Sequence, residues 1–553
     1  MKDDIKKWII EPKKTNEIVE QILINRKIAK IDWPDFLKPE FSKLYDPYLL
    51  NDMEKAVERL QKAFENKETV GIFADYDADG IPAAALLSTI LEDKLGLKTV
   101  TYIPTRSDGY GLNKNGIDYL RKSGATLLIT ADLGIREIEN TEYAQKIGFD
   151  VIITDHHEPG GRLPKPFALI NPKLKNSQYP FRELSGGGVI FKYIQALAKK
   201  FKQITENDLK WCLDLVSITT ICDVVPLIGE NRIFAKFGLF VLVKTKRIGL
   251  QELYKVANIS IPKINTYSVG FQIGPRLNAP GRMNHANESF LLLTTKENSV
   301  ARKLATDLDR INRTRQLKLD EILVETEKKI EIKKLYKNKV IILSSEKWST
   351  GLIGLVAGKI VEKYNRPTLI FEKGIKFSKG SMRSIDNFNT VEMLEKAKSL
   401  IENFGGHAKA AGLTIKNENL KKLNKKLLEI ADKYLTEEDL EIKINIDAEI
   451  KLDEIDLNLI RKLIYLEPFG LGNPRPVFIV KNIKIENQRL VGGDKHLSFK
   501  IKQASGRELR AVYFNQNKLL ENQKPFDLVC YLEENVWNGK SYPQLKVIDA
   551  KLT

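Results

Sequence analysis

The chain has 553 residues, 42% of them hydrophobic, and its 89 lysines and arginines outnumber its 72 aspartates and glutamates, giving a formal net charge of +17. This length predicts about three or four domains. No membrane segment is expected, because the sequence has no apolar run of roughly 18 residues. The charged N-terminus, MKDDIKKWIIEPKK, is not a signal peptide. The three cysteines form no Cys-x-x-Cys pair, which argues against disulfides and a cysteine zinc site and predicts a cytoplasmic protein. The positive net charge fits either a polyanionic partner or a lysine-rich, solvated surface.

From about residue 68 to 172, short apolar strands alternate with helices. The predicted strands are TVGIFADYD, KTVTYIPTR, ATLLITAD, DVIITDHH and FALINP, and the predicted helices are 81–95, 113–123 and 136–148. This alternation predicts a parallel sheet with helices on its faces. Apolar runs such as LLIT and VIIT fit strands that are buried on both sides.

The remainder of the chain is predicted to contain three kinds of region: helical, α/β and all-β. Residues 188–258 are predicted to be mostly helical, and residues 297–335, which lack proline and glycine, to form one long connecting helix. A second α/β unit is predicted next, with a strand at 339–344, a helix from Gly351 to Tyr364, the strand PTLIFE and a helix at 390–403. From about residue 440, alternating strands and turn residues predict a small all-β domain.

Acidic residues follow three of the predicted parallel strands. These are Asp75, Asp77 and Asp79 after GIFA, Asp132 after LLIT, and Asp155 with His156 and His157 after VIIT. The carboxyl ends of parallel strands line one edge of a sheet, so we expect these side chains to meet. Gathered carboxylates need a compensating cation, and oxygen ligands with one or two histidines favour Mn²⁺ or Mg²⁺. Two such ions about 3.5–4 Å apart can activate water against a phosphodiester, and Asp132, alone at its strand end, is the best candidate to bridge them.

Each part of this pattern also has a purely structural interpretation. Asp-x-Asp-x-Asp-Gly opens an EF-hand loop, but position 12 of that loop is Leu86 here and a strand precedes the motif. A single aspartate at a strand end, such as Asp132, is often a helix N-cap, and a histidine pair is often structural. The combined set favours a metal site.

Several motifs together resemble one protein family. DYDADG (75–80), TADLGI (130–135), TDHH (154–157) and CDVVPL (222–227) resemble the DHH phosphoesterase superfamily, and GPRLNAPGRM (274–283), GSMRS (380–384) and FGGHAKAAG (404–412) make the chain similar to its RecJ-type exonucleases. The fold class that the resemblance implies is α/β, with a C-terminal all-β OB-like barrel. The implied domains are an N-terminal segment (1–45), a parallel-sheet DHH catalytic domain (46–296), the connecting helix (297–335), a smaller α/β DHH-associated domain (336–437) and the OB-like domain (438–553).

The resemblance also implies roles for the acidic cluster. The implied ligands of two divalent cations are Asp77, Asp79, Asp132, His156 and Asp223, with Asp75 and Asp155 as further candidates. Asp132, His156 and His157 are the implied catalytic residues, and His157 is expected to contact the scissile phosphate. Asp223 ends the apolar helix LVSITTIC, and its spacing alone would suggest only a polar residue at a helix end. Pyrophosphatase-like members of the superfamily have a histidine where this chain has Phe73, so the first metal site is expected either to be weaker or to depend more on Asp75.

Candidate substrate-binding residues lie in other motifs. Arg106, in RSDGYG, follows the second strand and is expected near the same rim, and the resemblance implies substrate contacts by Arg276, Asn278, Ser381, Arg383, Gly405, Gly406 and His407. The motifs that contain Arg276, Ser381 and Arg383 resemble a pocket for a 5′-terminal phosphate. Gly405 and Gly406 are predicted to form a loop after a helix that a phosphate can approach. Alternatively, any one arginine forms a surface ion pair, Gly405 is a helix C-cap, and the run Gly186–Gly188 only permits tight packing. In the barrel, Tyr513, Phe514 and Trp537 are candidates for base stacking, although core packing is their more common role.

The function implied is a 5′→3′ exonuclease that is specific for single-stranded DNA, uses Mn²⁺ or Mg²⁺, releases 5′-mononucleotides and acts in DNA repair and recombination. A single-strand-binding protein and a RecQ-type helicase are the implied partners. One alternative is a phosphodiesterase for short oligoribonucleotides or cyclic dinucleotides, whose members generally lack the barrel and the long helix. Another is a non-catalytic replication scaffold, against which the intact set of acids argues.

Overall fold

The protein is described by a computed structural model that covers residues 6–105, 111–282, 287–504, 506–521 and 524–553. The chain divides into two compact units, one comprising Met1–Ile9 and Arg310–Ile444 and the other Ile10–Asp309 and Asn445–Thr553. No helix in the described ranges combines the length and the apolar character needed to cross a membrane.

The first 309 residues contain a sheet and most of the helices. The strands are β1 (Lys7–Ile10), β2 (Thr69–Ala74), β3 (Thr99–Tyr102), β4 (Ala125–Ala131), β5 (Asp150–Thr154) and β6 (Ala168–Ile170). The helices are α1 (Ile18–Asn25), α2 (Trp33–Leu37), α3 (Met53–Glu65), α4 (Gly80–Leu95), α5 (Lys114–Lys122), α6 (Ile138–Lys146), α7 (Gly186–Lys200), α8 (Glu206–Cys222), α9 (Gly229–Val243), α10 (Ile248–Val256), α11 (Gly274–Arg282) and α12 (Asn287–Thr294). A π-helical segment, Ser268–Ile273, leads directly into α11.

Strands β2 to β6 form the predicted parallel sheet, in the order β3-β2-β4-β5-β6. The central strands β2, β4 and β5 are buried along nearly their whole length. Their apolar side chains contribute to two clusters, one on each face of the sheet. Because side chains alternate between the faces, continuous apolar strands of this kind require helices on both sides.

A single helix of 35 residues, α13 (Asn298–Ile332), precedes the smaller sheet. The strands of that sheet are β7 (Ile341–Ser345), β8 (Thr368–Lys373), β9 (Phe377–Arg383), β10 (Asn403–His407) and β11 (Ala410–Lys416), and the helices beside it are α14 (Thr350–Tyr364), α15 (Thr390–Glu395) and α16 (Leu420–Tyr434). The strand order is β10-β11-β9-β8-β7, with β7 and β8 parallel and the other neighbours antiparallel.

The helix predicted at 390–403 is wrong in its second half. Helix α15 ends at Glu395, and Asn403–His407 form strand β10, which pairs with β11. Gly405 and Gly406 therefore lie in a strand and not in a loop after a helix, so the C-cap interpretation of Gly405 is also wrong. Pairing with β11 supplies the backbone hydrogen bonds of residues 403–407 and so fixes them as a strand.

The C-terminal region forms the predicted OB-like barrel. Its elements are β12 (Lys443–Ile446), β13 (Ala448–Glu449), α17 (Leu457–Ile464), β14 (Phe478–Val491), β15 (His496–Lys502), β16 (Glu508–Tyr513), β17 (Phe526–Trp537) and β18 (Lys540–Leu552). The strands follow the order β14-β15-β16-β18-β17, and β17 pairs back with β14 to close the barrel.

The N-terminal segment, in which the sequence shows no motif, completes the core of this barrel. Ile22 and Leu23 of α1 and Phe36 of α2 are buried in the same apolar cluster as the inward-facing residues of the barrel. Helices α1 and α2 therefore belong structurally to the barrel, although more than 400 residues separate them from its strands, whereas Met1–Ile9 belong to the other unit.

Candidate metal centre

The carboxyl ends of β2, β4 and β5 bring the predicted acids together. The backbone N–H of Asp75 donates to the carbonyl of Ala131 at 3.2 Å, and that of Asp132 donates to the carbonyl of Thr154 at 3.1 Å, so the three strand ends lie side by side. Among the residues that the structure describes, three groups of side chains have potential ligand atoms within 4.8 Å of one another: Asp75, Asp77 and Asp132; Asp132, His156 and His157; and Asp79, His156 and Asp223. Asp132 and His156 each belong to two groups, which places them at the centre of the cluster.

His156 and Asp132 leave polar atoms buried at this centre. His156 Nε2 lies 3.2 Å from Asp132 Oδ1, 3.5 Å from Asp223 Oδ2 and 3.7 Å from Asp79 Oδ2. Among the described residues, both ring nitrogens of His156 and Oδ1 of Asp132 are buried without a hydrogen-bond partner. Such atoms are costly to bury unpaired, and a cation shared by His156 Nε2 and Asp132 Oδ1 would satisfy those two atoms. Carboxylate oxygens with one imidazole fit Mn²⁺ or Mg²⁺.

The electrostatics of the cluster also fit a bound cation. Burial, with repulsion between neighbouring carboxylates, raises the pKa of Asp75, Asp132 and Asp223 well above the usual range and that of Asp79 to about 7. Burial lowers the pKa of His156 to about 3, so its ring is neutral as a metal ligand must be. A cation would replace the protons that these carboxyl groups otherwise hold.

Asp155 is engaged within the fold. Its Oδ1 accepts hydrogen bonds from the backbone N–H groups of His156 at 2.7 Å and His157 at 3.0 Å, and lies 2.7 Å from His157 Nδ1. Its Oδ2 accepts from the N–H of Ile135 at 2.9 Å. Burial opposes ionisation, but the contact with His157 lowers the pKa of Asp155 to about 2 and raises that of His157. Asp155 thus orients both histidines, and a ligand role for it depends on the family resemblance.

Two residues at the cluster have a left-handed backbone. Asp132 has φ +66°, and Val224, directly after Asp223, has φ +57°. Such conformations cost about 1–3 kcal/mol outside glycine and are retained mainly at functional sites, and for a β-branched valine they are rare. The N-cap interpretation of Asp132 is wrong, because the next helix, α6, has Glu137 at its N-cap position. Asp223 is the C-cap residue of α8.

The glycines that open α7 hold Asp79, a role that the sequence analysis missed. The N–H groups of Gly186 and Gly187 donate to Asp79 Oδ2 at 2.7 Å and Oδ1 at 2.8 Å. The N-terminus of a helix is suited to a carboxylate because its N–H groups and dipole point outwards. A Cβ atom at Gly186 would lie 2.4 Å from Asp132 Cβ. In the sequence, this close approach could have been inferred only from the run of glycines at the start of an apolar helix.

Gly186→Ala is therefore expected to weaken Mn²⁺ binding by about 10- to 100-fold, the usual effect of displacing a residue that supports a metal ligand. Gly188→Ala is the matched control, because a Cβ there would be 3.4 Å from the nearest atom, in Leu184. Calorimetric titration of the two variants and the wild type with Mn²⁺ measures the difference. Equal affinities for Gly186→Ala and Gly188→Ala would contradict the close contact with Asp132.

The predicted residues of the GPRLNAPGRM motif contact the protein itself. Asn278 Oδ1 accepts from the N–H of Ala78 at 2.8 Å and so holds the DYDADG loop in place. Arg276 pairs with Asp309 Oδ1 through Nε at 2.9 Å and Nη2 at 2.8 Å, and its Nη1 donates to the carbonyl of Gln272 at 2.8 Å. Arg106, predicted near the rim, lies outside the described residues.

In the smaller unit, four of the predicted substrate-binding residues share one face of the sheet: Ser381, Arg383, Gly405 and His407. Across the strands, Gly412 aligns with both Ser381 and Gly405, and Ala410 aligns with both Arg383 and His407. Arg383 Nη1 donates to Ser381 Oγ at 3.1 Å, and burial lowers the pKa of Arg383. Small residues at the centre leave this strand backbone open to a ligand. Gly406, with φ +151°, points the opposite way, and a Cβ there would lie 2.2 Å from the carbonyl oxygen of Ala410.

The three candidate aromatic residues of the barrel differ in exposure. Tyr513 packs against the barrel core, whereas Phe514 and Trp537 are 44% and 65% exposed. The Nζ atom of Lys546 lies 5.0 Å from the centroid of the Phe514 ring. An exposed ring beside a lysine is a suitable site for a nucleobase and its phosphate.

Comparison with known proteins finds three domain families along the chain. Residues 69–220 match the DHH family N-terminal domain, residues 337–435 the DHHA1 domain, and residues 446–549 the RecJ OB domain.

Relatives are similar over most of the chain. The single-stranded-DNA-specific exonuclease RecJ of Bacillus subtilis is 37% identical over 94% of this chain and 66% of its own length. The exonuclease of the same name from Haemophilus influenzae is 34% identical over 91% of both chains. The crystal structure of RecJ from Thermus thermophilus in complex with Mn²⁺ superposes with a TM-score of 0.83 at 25% identity, covering 100% of this chain and 80% of that one.

Proposed function

The chain belongs to the RecJ family of DHH proteins, and on this basis we propose that it is a 5′→3′ exonuclease specific for single-stranded DNA. It hydrolyses phosphodiester bonds with two divalent cations, Mn²⁺ or Mg²⁺, and releases 5′-mononucleotides. The observation that carries the proposal is the convergence of acids from three strand ends and one helix end around the unpaired atoms of Asp132 and His156.

Asp77, Asp79, Asp132, His156 and Asp223, together with Asp75, would hold the two cations. When bound, the cations supply activation of a water molecule and neutralisation of charge on the phosphate. Asp132 is suited to the bridging position because its carboxylate lies within reach of ligand atoms on both sides. The amides of Gly186 and Gly187 fix Asp79 and so preset the spacing of the ligands.

His157 is proposed to contact the scissile phosphate. Its Nδ1 is held 2.7 Å from Asp155, and this contact favours the protonated ring, with a raised pKa. A cationic ring beside the phosphate stabilises negative charge that develops during hydrolysis. Asp155 keeps that proton on Nδ1 and sets the orientation of the ring, as the carboxylate beside a catalytic histidine commonly does.

This function is tested by incubating the protein with 5′-phosphorylated single strands, duplex DNA and short oligoribonucleotides, each with Mn²⁺, Mg²⁺ or EDTA. Release of mononucleotides from single-stranded DNA, dependent on the metal and starting at the 5′ end, is the expected result. Cleavage in EDTA, or cleavage restricted to di- and trinucleotides, would contradict the proposal and favour a different phosphodiesterase.

Arg383→Gln is expected to reduce the preference for a 5′-phosphate over a 5′-hydroxyl end by about 10-fold, as loss of one charge-assisted hydrogen bond does. Ser381 and the open glycine backbone beside Arg383 support a phosphate site there. Lys359→Gln, an exposed lysine on α14, controls for the loss of one positive charge. The ratio of kcat/KM for the two kinds of end measures the preference, and an unchanged ratio would remove Arg383 from the pocket.

The proposal extends to the cellular role. We infer action in DNA repair and recombination, in the cytoplasm, with a single-strand-binding protein and a RecQ-type helicase as partners. The three cysteines are free thiols, which suits a reducing compartment. Co-purification of the protein with either partner on single-stranded DNA would test the interactions.

A further inference from the structure

Two aromatic rings of the larger unit are stacked and exposed to solvent. Tyr267 and Phe271 are 62% and 67% exposed, and their rings stack with centroids 4.9 Å apart and planes 22° apart. Phe271 lies in the π-helical segment Ser268–Ile273, and Tyr267 directly precedes it. Residues of this size are usually more deeply buried, so an exposed stacked pair indicates a surface for another flat group.

The opposite side of the same segment packs against the end of α8. Val269 and Ile273 are buried, Cys222 Sγ donates to the carbonyl of Val269 at 3.8 Å, and a Cβ at Gly274 would lie 2.4 Å from Cys222 Sγ. Cys222 is the residue before Asp223, one of the proposed metal ligands. The exposed rings are therefore carried by a segment that contacts the residue directly before a proposed metal ligand.

The segment also continues into α11, whose Asn278 holds Ala78 in the acidic loop. The aromatic pair is thus fixed to two supports of the metal centre, the end of α8 and the DYDADG loop. π-helical turns are rare and occur frequently at functional sites.

We propose that Tyr267 and Phe271 form a stacking platform for a base of the single-stranded substrate, away from the nucleotide that is cleaved. The proposal rests on the proposed nuclease function. Every base has a flat aromatic face, so stacking grips a strand without regard to sequence. A nuclease that removes nucleotides one after another needs contacts of this kind, which hold the strand whatever its sequence.

The charges near the platform favour stacking over phosphate contact. Tyr267 borders a groove of about 710 Å³ whose lining carries Lys236 and Arg475, but also Glu467, Glu533 and Glu534. Arg475 is paired with Glu533 at 2.8 Å. Since carboxylates outnumber cations in this lining, any contribution of the platform to binding is expected to come from base stacking and not from contact with phosphate.

The test compares Tyr267→Ala, Phe271→Ala and the double variant with the wild type in binding fluorescent oligothymidylates of increasing length. Binding is measured in EDTA, which prevents cleavage. The double variant is expected to bind long oligonucleotides about 5- to 150-fold more weakly, which corresponds to about 1–3 kcal/mol. The dependence of affinity on salt should stay unchanged, because no phosphate contact is lost.

Two further variants serve as controls. Phe271→Trp keeps a stacking ring and is expected to restore affinity, and Tyr119→Ala removes another ring that is 50% exposed and should bind as the wild type does. Affinity unchanged in the double variant, or a changed salt dependence, would overturn the platform. Circular dichroism establishes that each variant is folded.

The outcomes separate the platform from the nuclease function. Wild-type cleavage of single-stranded DNA with unchanged binding by the double variant would overturn the platform and leave the nuclease. Weakened binding by the double variant, together with no metal-dependent cleavage by the wild type, would support the platform and overturn the nuclease.

Discussion

Replacing Asp132 by asparagine is expected to lower the turnover of single-stranded DNA by more than about 10³-fold. Loss of a hydrogen bond that supports a metal ligand already costs about 10- to 100-fold, and Asp132 is a proposed ligand of both cations. Asparagine keeps the volume of the side chain and tolerates the left-handed backbone at this position. The loss is therefore attributable to the missing charge and not to a rearranged strand end.

Single-turnover cleavage of a 5′-phosphorylated strand in Mn²⁺ measures the effect, and binding of the same strand in EDTA should stay within a few-fold of wild type. Asp118→Asn is the matched control, because Asp118 lies on α5 and its carboxylate accepts a hydrogen bond from the hydroxyl of Tyr143 at 2.7 Å. Turnover by Asp132→Asn within about 10-fold of the control would rule out a bridging role.

The same substitution is expected to stabilise the metal-free protein. Burial and the neighbouring acids raise the pKa of Asp132 above its value in the unfolded chain, so its ionised form opposes folding at neutral pH. This opposition declines as the pH falls towards the ordinary carboxyl pKa. Between pH 7 and about pH 5, in EDTA, the protection of the β4 and β5 amides against hydrogen exchange should therefore increase in the wild type relative to Asp132→Asn. An equal change in both proteins would contradict this account.

The acids at the strand ends could be predicted from the sequence because of their position in a regular pattern. Asp75, Asp132 and Asp155 each follow a buried parallel strand, and strand ends of such a sheet necessarily meet at one edge. Asp223 could not be found in this way, because it follows a helix whose packing has no relation to strand order. Only its family motif indicated it.

Other features depend on packing between distant parts of the chain. The role of Gly186 follows from the position of Asp132, 54 residues earlier in the chain, so the glycine run indicates a close approach but does not identify the residue that approaches. Residues 405–407 of the strand Asn403–His407 were predicted as a loop after a helix that ended at residue 403, whereas pairing with β11 decides the structure of this segment. The N-terminal segment carries no motif that indicates its role, because the barrel residues that cover Phe36 lie at the other end of the chain.

Arg232 joins that segment to the barrel side of the larger unit. Its side chain is only 1% exposed, and it donates to five main-chain carbonyl oxygens, those of Phe36, Tyr465, Leu466, Glu467 and Pro468. The guanidinium carbon also lies 3.8 Å from the centroid of the Phe36 ring. Burial lowers the pKa of Arg232 to about 9, so it remains charged at neutral pH.

Arg232→Met is expected to destabilise the larger unit by about 3–5 kcal/mol, because it removes the donor that several main-chain carbonyl groups share. Methionine fills much of the volume but donates no hydrogen bond, and each buried carbonyl left without a donor costs about 1–3 kcal/mol unless water reaches it. Lys236→Met, one turn later on α9, is the control, because Lys236 is half-buried and makes one such bond, to the carbonyl of Leu37 at 3.0 Å. Its cost should stay near 1 kcal/mol.

Hydrogen exchange is the suitable measurement, because a chain of several domains does not unfold in one step. In Arg232→Met, the amides of Ile18–Asn25 and Trp33–Leu37 should lose protection together with those of the barrel strands, while the amides of β4 and β5 stay protected. This pattern follows because Arg232 binds the backbone on either side of the junction and not the parallel sheet. Equal protection of α1 in Arg232→Met and Lys236→Met would show that the apolar core around Ile22 and Leu23 holds the N-terminal segment without the arginine.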